Sequence, residues 1–313
     1  MKCAVVGASG FVGSAVLGQL SAAGMEVIPV SAPRLAWTVA DAAEILLQTE
    51  RLPATDLLAQ AIASADVVVN AAGLAAPDAH DETSFLGANA LLPAVIARAC
   101  ERAGVRRLVH ISSAAVQGRR HRLDESASIE PFSPYSRSKA LGEEALRVRQ
   151  PDPAARLDVV ILRGTSVQGP ARATTLKLQR VAASMLSSVA GPGKRPTPVT
   201  SVLGLAERVT VLAAFPGTVS TTVLQPAEGL TTSEVLELAG GRPPHHLPEW
   251  LCRSVLGVGY RLSRLAGSRF HGPLRRLELM WFGQDQVPGW TAAHNVVIRG
   301  NVREVLTHRS GRG

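Results

Sequence analysis

The chain has 313 residues, of which 46% are hydrophobic, 19% charged and 4% aromatic, and its formal net charge is +8. This composition supplies a large aliphatic core and excludes a mainly disordered, collagen-like or low-complexity chain. Cys3, Cys100 and Cys252 are odd in number and far apart. They argue against a disulfide framework or a zinc site and favour a reducing compartment, the cytoplasm.

No apolar run approaches the roughly 18 residues of a membrane span. A glycine-rich pattern begins at Gly7, where an export signal would still be in its charged or apolar region. We therefore expect neither a transmembrane segment nor a secretory signal.

The basic excess lies in the second half of the chain. Residues 1–150 carry 14 Lys and Arg against 15 Asp and Glu, and residues 151–313 carry 19 against 10. Between Arg242 and Arg276 there are seven arginines and one acid, Glu249. Such a patch suits an anionic small molecule or an acidic membrane surface, or it is a solvated surface. We expect no nucleic-acid partner, because no nucleic-acid-binding module is recognised and aromatic residues rarely separate these arginines.

Residues 3–30 predict a strand, a turn, a helix and a second strand. The apolar run 3–6 stops at Gly-Ala-Ser-Gly-Phe-Val-Gly in positions 7–13, and apolar residues then recur at helical spacing until Gly24. Glycines in such a turn let backbone N–H groups approach a pyrophosphate at the helix N-terminus. We interpret it as a dinucleotide-binding loop rather than a merely structural turn. Its expected cofactor contacts come from Gly7, Ser9, Gly10, Phe11, Val12 and Gly13.

The second strand, 26–30, ends without the acidic residue that would hold the adenosine ribose of NAD. Ser31 can donate a hydrogen bond to a phosphate and Arg34 can pair with one. This favours NADP(H) as the cofactor. NAD(H) remains the alternative, with Asp41 reaching the ribose.

The pattern up to residue 170 predicts a parallel sheet covered by helices. Stretch 31–55 is unclear. Further strands are predicted at 67–69, 107–111 and 157–162, and helices at 56–65, 85–103 and 135–149. Ligands of such sheets bind at the carboxyl ends of the strands. Asn70, Gly73, Ser112 and Ser113 follow strands at that edge.

Beyond residue 170 the alternation loosens. Helices are predicted at 202–214 and 231–239, and residues 221–224 form a candidate strand. We expect a smaller substrate-binding region, 171–313, interleaved with a sheet domain at 1–170, to which about 221–225 returns.

Tyr135 and Lys139 are four residues apart and therefore share one face of the predicted helix. An ammonium beside a phenol favours the phenolate, so we expect Lys139 to lower the pKa of Tyr135 from about 10. Tyr135 is then a candidate proton donor to a carbonyl oxygen, and Ser113 a candidate hydrogen-bond donor to the same oxygen.

Several segments together resemble the extended short-chain dehydrogenase/reductases, the NAD-dependent epimerase/dehydratase family. They are GASGFVG at 7–13, VVVNAAG at 67–73, GANALLPAVIARA at 87–99, RLVHISSAAVQG at 107–118, PYSRSKALGEEAL at 134–146 and VILRGTSVQGP at 160–170. The resemblance implies a Rossmann fold, a doubly wound parallel α/β sheet, with bound NAD(P). It implies a catalytic set of Ser113, Tyr135 and Lys139, with Tyr135 and Lys139 also touching the cofactor. Further implied cofactor contacts are Asn70, Ala71, Ala72, Gly73, Asn89, Ile111, Ser112, Arg163 and Val167.

The activity this favours is reduction of a carbonyl on a nucleotide-sugar-like or secondary-metabolite substrate by NADPH. The alternatives are an epimerase that retains NAD(P) and a non-catalytic NADP(H)-binding regulatory protein. Dehydration is not expected, because Ala114 and Ala115 stand where dehydratases carry acids. The resemblance also implies a homodimer through the helices at 85–103 and 135–149.

Residues 250–265 carry apolar side chains at helical spacing beside three arginines. We interpret them foremost as a packed helix, weakened by Gly257 and Gly259, with a helix over the substrate cleft or touching a membrane as alternatives. His245 and His246 are predicted to lie in a solvated loop, and His110 in the core.

Overall fold

The structure is a computed structural model that describes residues 1–75, 81–149, 157–170, 172–265 and 270–308. In chain order its strands are β1 Lys2–Val6, β2 Glu26–Val30, β3 Val67–Asn70, β4 Arg107–Ser113, β5 Arg122–Leu123, β6 Asp158–Gly164, β7 Ser166–Gln168, β8 Ser188–Ala190, β9 Val199–Ser201, β10 Thr222–Leu224, β11 His245–Leu247 and β12 Asp285–Gln286.

Its α-helices are α1 Phe11–Ala22, α2 Ala42–Thr49, α3 Pro53–Ile62, α4 Glu82–Leu86, α5 Leu92–Arg102, α6 Pro134–Val148, α7 Ala173–Ala183, α8 Val202–Ala214, α9 Thr232–Gly240, α10 Glu249–Leu265, α11 His271–Phe282, α12 Trp290–Ala293 and α13 Val302–Thr307. A π-helical turn, Gly87–Leu91, joins α4 to α5.

Six parallel strands form the central sheet in the order β10-β6-β4-β3-β1-β2. Alternate residues of each strand enter two cores. On β1, Ala4 and Val6 face α2, α3, α5 and α6, while Cys3 and Val5 face α1 and α8. The sheet is therefore doubly wound, as the Rossmann fold requires. The unclear stretch 31–55 contains no strand; its regular elements are α2 and the first residues of α3.

The C-terminal part of the chain adds the edge strand β10 to the sheet and forms most of the smaller sheets outside it. β10 returns to pair with β6, and three two-stranded parallel sheets, β7–β9, β8–β11 and β5–β12, lie outside the main one. The prediction that His245 and His246 occupy a loop is wrong, because both lie in β11 and pair with β8. The described residues contain no cluster of side chains able to hold a metal ion.

Helix α10 continues through both of its glycines. A Cβ at position 259 would lie 2.7 Å from Leu274 of α11, whereas nothing lies within 4 Å of one at 257. Gly259 therefore permits the close α10–α11 contact, and packing outweighs the weak helix propensity of glycine.

The two helices expected to form a dimer are largely covered within one chain. Eight residues of α5 and nine of α6 are buried, and α2 and α3 pack on these helices. The continuous helical stretch Glu82–Arg102 is long and apolar enough to cross a membrane, but 78% of its apolar window is buried inside the protein. This burial is that of a core helix.

Two buried arginines brace the sheet. At the amino end of β4, Arg107 donates to Asp158 and to the carbonyl oxygens of Leu212, Phe215 and Gly217 at 2.6–2.8 Å. Near the opposite end, Arg163 is fully buried and pairs with Glu143 of α6 at 2.8 Å.

Candidate active site

A cleft of about 590 Å³ opens at the carboxyl ends of the central strands. Ten of the residues expected from the sequence line it, namely Val12, Ala71, Ala72, Gly73, Ile111, Ser112, Ser113, Tyr135, Lys139 and Val167. Six further lining residues were not expected: Leu74, Ala75, Gly164, Thr165, Arg172 and Leu205. None of these sixteen residues is acidic, so the cleft favours an anionic ligand.

Tyr135 and Lys139 reach the cleft from the first turns of α6. The helix begins there because Ser133 and Ser136 form a reciprocal capping box and Pro134 occupies the first turn. Ser113, the last residue of β4, lines the cleft with Tyr135, and its hydroxyl acts to lower the pKa of the phenol. The Lys139 ammonium donates to the Ile111 carbonyl oxygen at 3.1 Å. A hydroxyl, a phenol and an ammonium therefore meet at the end of one strand.

The charge state of this group differs from the expectation. Burial raises the pKa of Tyr135 above its usual range, and the Ser113 hydrogen bond and the Arg172 guanidinium oppose this rise only in part. The prediction of a lowered tyrosine pKa is therefore wrong in direction. Burial lowers the pKa of Lys139 to about 8, against the attraction of Glu143. The buried phenol is protonated at neutral pH and can act as an acid.

Arg172 is the cation that sequence reasoning missed. It donates to the Val167 carbonyl oxygen, and its guanidinium carbon lies 4.7 Å from the centre of the Phe11 ring. Burial lowers its pKa, and the nearby Tyr135 opposes this change. Arg172 thereby joins the glycine loop to the tyrosine. The sequence offered no signal, because it precedes a helix in the loosely patterned part of the chain.

The glycine loop is built as its sequence indicates. Gly7 has a φ of +83°, and its N–H donates to the Val30 carbonyl oxygen at 2.9 Å. A Cβ at Gly13 would lie 2.0 Å from the Gly7 carbonyl oxygen, so only glycine permits this contact between loop and helix. Gly10 caps α1 without a side chain, which leaves N–H groups at the helix N-terminus for an anion.

Comparison with known proteins identifies the family of the chain. The model of the NAD dependent epimerase/dehydratase family matches residues 3–208, more than half of the chain. The chain belongs to this family. The resemblance seen in the sequence is therefore confirmed. Among curated proteins, none matches this sequence.

Solved structures share the fold along almost the whole chain. A UDP-glucuronic acid 4-epimerase from Bacillus cereus, in complex with NAD, superposes with a TM-score of 0.64 and 18% identity, covering 98% of this chain and 94% of its own. MoeE5 in complex with UDP-glucose and NAD gives 0.63 and 19%, covering 98% and 96%. Human epimerase family protein SDR39U1 with NADPH gives 0.64 and 21%, covering 98% of each chain. These likenesses confirm the Rossmann α/β fold class.

Asn70 and Asn89 do not line the cleft. Their side chains hydrogen-bond backbone groups next to it. Asn70 accepts from the Ala72 N–H at 3.0 Å and donates to Nδ1 of His110, also at 3.0 Å. Asn89 exchanges two 3.0 Å hydrogen bonds with the Leu74 backbone. A Cβ at position 73 would lie 2.8 Å from Asn89 and 2.9 Å from the Lys139 ammonium. Both asparagines therefore shape the 70–74 turn beside the lysine.

Arg163 is not placed where the resemblance implied. It is completely buried, does not line the cleft, and directs its guanidinium at Glu143 and at the carbonyl oxygens of Asp124 and Ser126. Glu143 also accepts from Ser112 at 2.6 Å. The arginine is thus a positioning residue for α6 and the end of β4.

The residues that were to select the cofactor lie at the surface. Ser31 and Arg34 are exposed just beyond β2, whose last residue, Val30, accepts a hydrogen bond from the Gly7 N–H. Asp41 accepts from the Glu44 N–H at 2.9 Å as the N-cap of α2. Its carboxylate is therefore engaged in capping, and reaching a ribose would cost that cap.

The residues present fit a nicotinamide dinucleotide. The glycine loop offers a cradle that side chains would fill, and Arg172 and Lys139 supply positive charge along the cleft. In addition, the buried Thr165 hydroxyl at the cleft has no hydrogen-bond partner among the described residues. A buried hydroxyl without a partner is costly unless a ligand or water satisfies it.

Proposed function

We propose that this protein is an NADP(H)-dependent ketoreductase that acts on a small anionic carbonyl compound of the nucleotide-sugar or secondary-metabolite type. The observation that carries the proposal is the convergence of Ser113, Tyr135 and Lys139 on one cleft beside the glycine loop. The excess of cations in the cleft supports an anionic substrate. The binding of UDP-sugars by MoeE5 and by the Bacillus cereus epimerase agrees with this class.

In the proposed reaction Tyr135 donates its phenolic proton to the substrate oxygen while the carbonyl carbon becomes an alcohol carbon. Bound NADPH supplies the hydride to that carbon. Ser113 hydrogen-bonds the same oxygen and orients it. Lys139 holds positive charge beside the tyrosine and stabilises the phenolate left after proton transfer. Since burial raises the pKa of Tyr135, the phenol carries its proton at neutral pH. A proton donor in a reduction must start in this protonated state.

NADPH is proposed over NADH because Ser31 and Arg34 follow β2, the strand whose last carbonyl oxygen accepts from the Gly7 N–H, while Asp41 caps a helix. An arginine binds a phosphate through charge-assisted hydrogen bonds. Binding by Arg34 would therefore leave the Asp41 cap of α2 intact. SDR39U1, whose structure contains NADPH, has the same fold, whereas the UDP-sugar epimerases contain NAD.

An epimerase with retained NAD(P) is the second candidate, because the same tyrosine and lysine could remove and return a proton and the similar structures include UDP-sugar epimerases. A non-catalytic NADP(H)-binding protein is the third. It accounts less well for the paired Tyr135 and Lys139 in the cleft, which a binding protein would not need.

The test begins with native mass spectrometry of the purified protein, followed by a panel of carbonyl compounds with NADPH at 340 nm. A ketoreductase releases its cofactor and consumes one NADPH per alcohol formed. A retained cofactor, with interconversion of sugar nucleotides and no net absorbance change, establishes the epimerase instead. Equal or tighter binding of NADH than of NADPH contradicts the cofactor assignment.

A further inference from the structure

Helix α10 buries one side and exposes an apolar stripe on another. Cys252, Leu256, Tyr260 and Ser263 are its buried residues. The stripe follows successive spacings of four, three, four and three residues, which place its members in one row, and they are exposed by 37–87%. Its members are Leu251, Val255, Val258, Leu262 and Leu265.

The apolar surface extends beyond this stripe. Trp250, in the first turn of α10, is 69% exposed, and Phe270, just before α11, is 58% exposed. Between the helices, Leu262, Phe270 and Leu277 help to line an apolar groove of about 720 Å³. We call the stripe together with Trp250 and Phe270 the α10 surface.

Arginines are frequent on the two helices that carry the α10 surface, and acids are few. Arg261 and Arg264 on α10 and Arg276 on α11 are exposed and form no salt bridge among the described residues. The acid of α10, Glu249, lies in its first turn and pairs with Arg195 and Arg253. The acid of α11, Glu278, is engaged by Tyr260, Arg119 and Arg275. The charge available to a partner is therefore positive.

This combination distinguishes one class of partner. Elsewhere, large exposed apolar residues are single or paired, such as Leu57 on α3, Val148 on α6 and the neighbours Met185 and Leu186 after α7, and they form no row of this length. An apolar row with a tryptophan at one end and arginines alongside has the character of a helix lying in the plane of a bilayer interface. A protein groove would satisfy the apolar row equally well, but unpaired arginines without acids favour a surface of lipid phosphates.

We propose that the α10 surface docks on an anionic phospholipid membrane. The stripe and Trp250 enter the headgroup region, and Arg261, Arg264 and Arg276 bind lipid phosphates. The protein is then a peripheral membrane protein held by one helix of its C-terminal region. The proposal does not depend on the reaction proposed for the cleft, because it uses none of the cleft residues.

The test is co-sedimentation of the full chain with two kinds of vesicle. One contains phosphatidylcholine alone, and the other contains phosphatidylcholine and phosphatidylglycerol in equal amounts. We expect sedimentation with the anionic vesicles, weakening with added salt. Arg261→Glu with Arg264→Glu should weaken binding by at least about fivefold for each arginine. Val258→Asp with Leu262→Asp should reduce it by more than about tenfold. On vesicle binding, fluorescence should shift to the blue. Trp250→Phe should remove that shift, since Trp281 and Trp290 are already buried and Trp37 packs against a core of the sheet domain.

Matched controls are Leu57→Asp, at a side chain 65% exposed on α3, and Arg180→Glu, exposed on α7. Both should leave vesicle binding unchanged, and unfolding temperatures should be equal across all variants. Wild-type protein that stays in solution with anionic vesicles overturns the proposal. So does equal loss of binding in Leu57→Asp. A wild-type dimer that Val258→Asp with Leu262→Asp makes monomeric, without vesicle binding, assigns the surface to a second copy and overturns it too.

Discussion

The two halves of the chain differ in where they expose apolar side chains. In residues 1–170 the large exposed ones lie on separate elements, such as Leu57 on α3 and Val148 on α6, whereas in the second half six lie together on α10. The first half buries its helices against its own sheet. Apolar periodicity therefore predicts a core only where the same chain supplies the element that covers it.

The two tyrosines of the chain, one in each half, differ in their expected roles, and substituting them gives the largest expected effect. Tyr135→Phe should lower kcat by about 10²–10⁴-fold, because the proton donor is lost while NADPH binding is kept. Tyr260→Phe removes only the 2.8 Å hydrogen bond to Glu278 and should leave turnover intact. Steady-state kinetics with the identified substrate measure both. Unchanged turnover in Tyr135→Phe would remove this residue as the acid.

Buried and exposed arginines give the next comparison. Arg163→Met should cost about 1.5–3 kcal/mol of unfolding free energy, because the buried Glu143 loses one of its two arginine partners and keeps only Arg147 and the Ser112 hydroxyl. Arg264→Met, at the exposed end of α10, should change it by less than about 0.5 kcal/mol. Urea unfolding measures both. A loss of NADPH affinity with unchanged stability in Arg163→Met would return this arginine to the cofactor site.

Two helical glycines should respond with opposite signs. Gly13→Ala places a Cβ 2.0 Å from the Gly7 carbonyl oxygen and should destabilise by about 1–3 kcal/mol, with weaker NADPH binding. Gly257→Ala meets nothing within 4 Å and should stabilise by up to about 1 kcal/mol. Thermal unfolding with and without NADPH distinguishes them. Destabilisation by Gly257→Ala would show that α10 is not a regular helix at this point.

The pH dependence of reduction should report the buried lysine of the first half. The pKa of Lys139 is lowered to about 8, so its ammonium is present below that pH and lost above it. We expect kcat/KM to fall on the basic side, by about tenfold per pH unit. Tyr260→Phe should leave this limb in place. A profile without an inflection near pH 8 would show that the lysine charge does not assist the reaction.

The smallest effect concerns cofactor choice. Arg34→Ala should weaken NADPH binding by about 1 kcal/mol, the scale of an exposed ion pair, and leave NADH binding unchanged. Isothermal titration with both cofactors measures the difference. A matching loss for NADH would mean that Arg34 does not contact the additional phosphate.

Most strands of the sheet, and ten of the sixteen residues that line the cleft, could be predicted because they follow local sequence patterns. The runs that became β1, β3, β4 and β6 are apolar and bounded by turn residues, and helical spacing brought Tyr135 and Lys139 together. The direction of the tyrosine pKa could not be predicted, since burial depends on everything packed around the phenol. Nor could β5–β12, whose two-residue strands are separated by more than half the chain.

The residues that were misplaced share a physical reason. Arg163 was expected at the cofactor from the resemblance to the family, yet its partner Glu143 lies on α6 and only the fold brings them together. Asp41 looked free but caps α2. Arg172 had no pattern at all, because its position depends on Phe11 and Val167 from two distant segments.

Three of the four hydrogen bonds of Arg107 join the first residue of β4 to the carboxyl end of α8 and the segment that follows it, and the fourth binds Asp158 of β6. The opposite end of α8 reaches Leu205 beside the cleft, where Thr165 still lacks a partner. A dinucleotide bound in the cleft therefore lies beside the first turn of α8, far from the Arg107 contacts. It should slow amide exchange most in that first turn and least near Ala214.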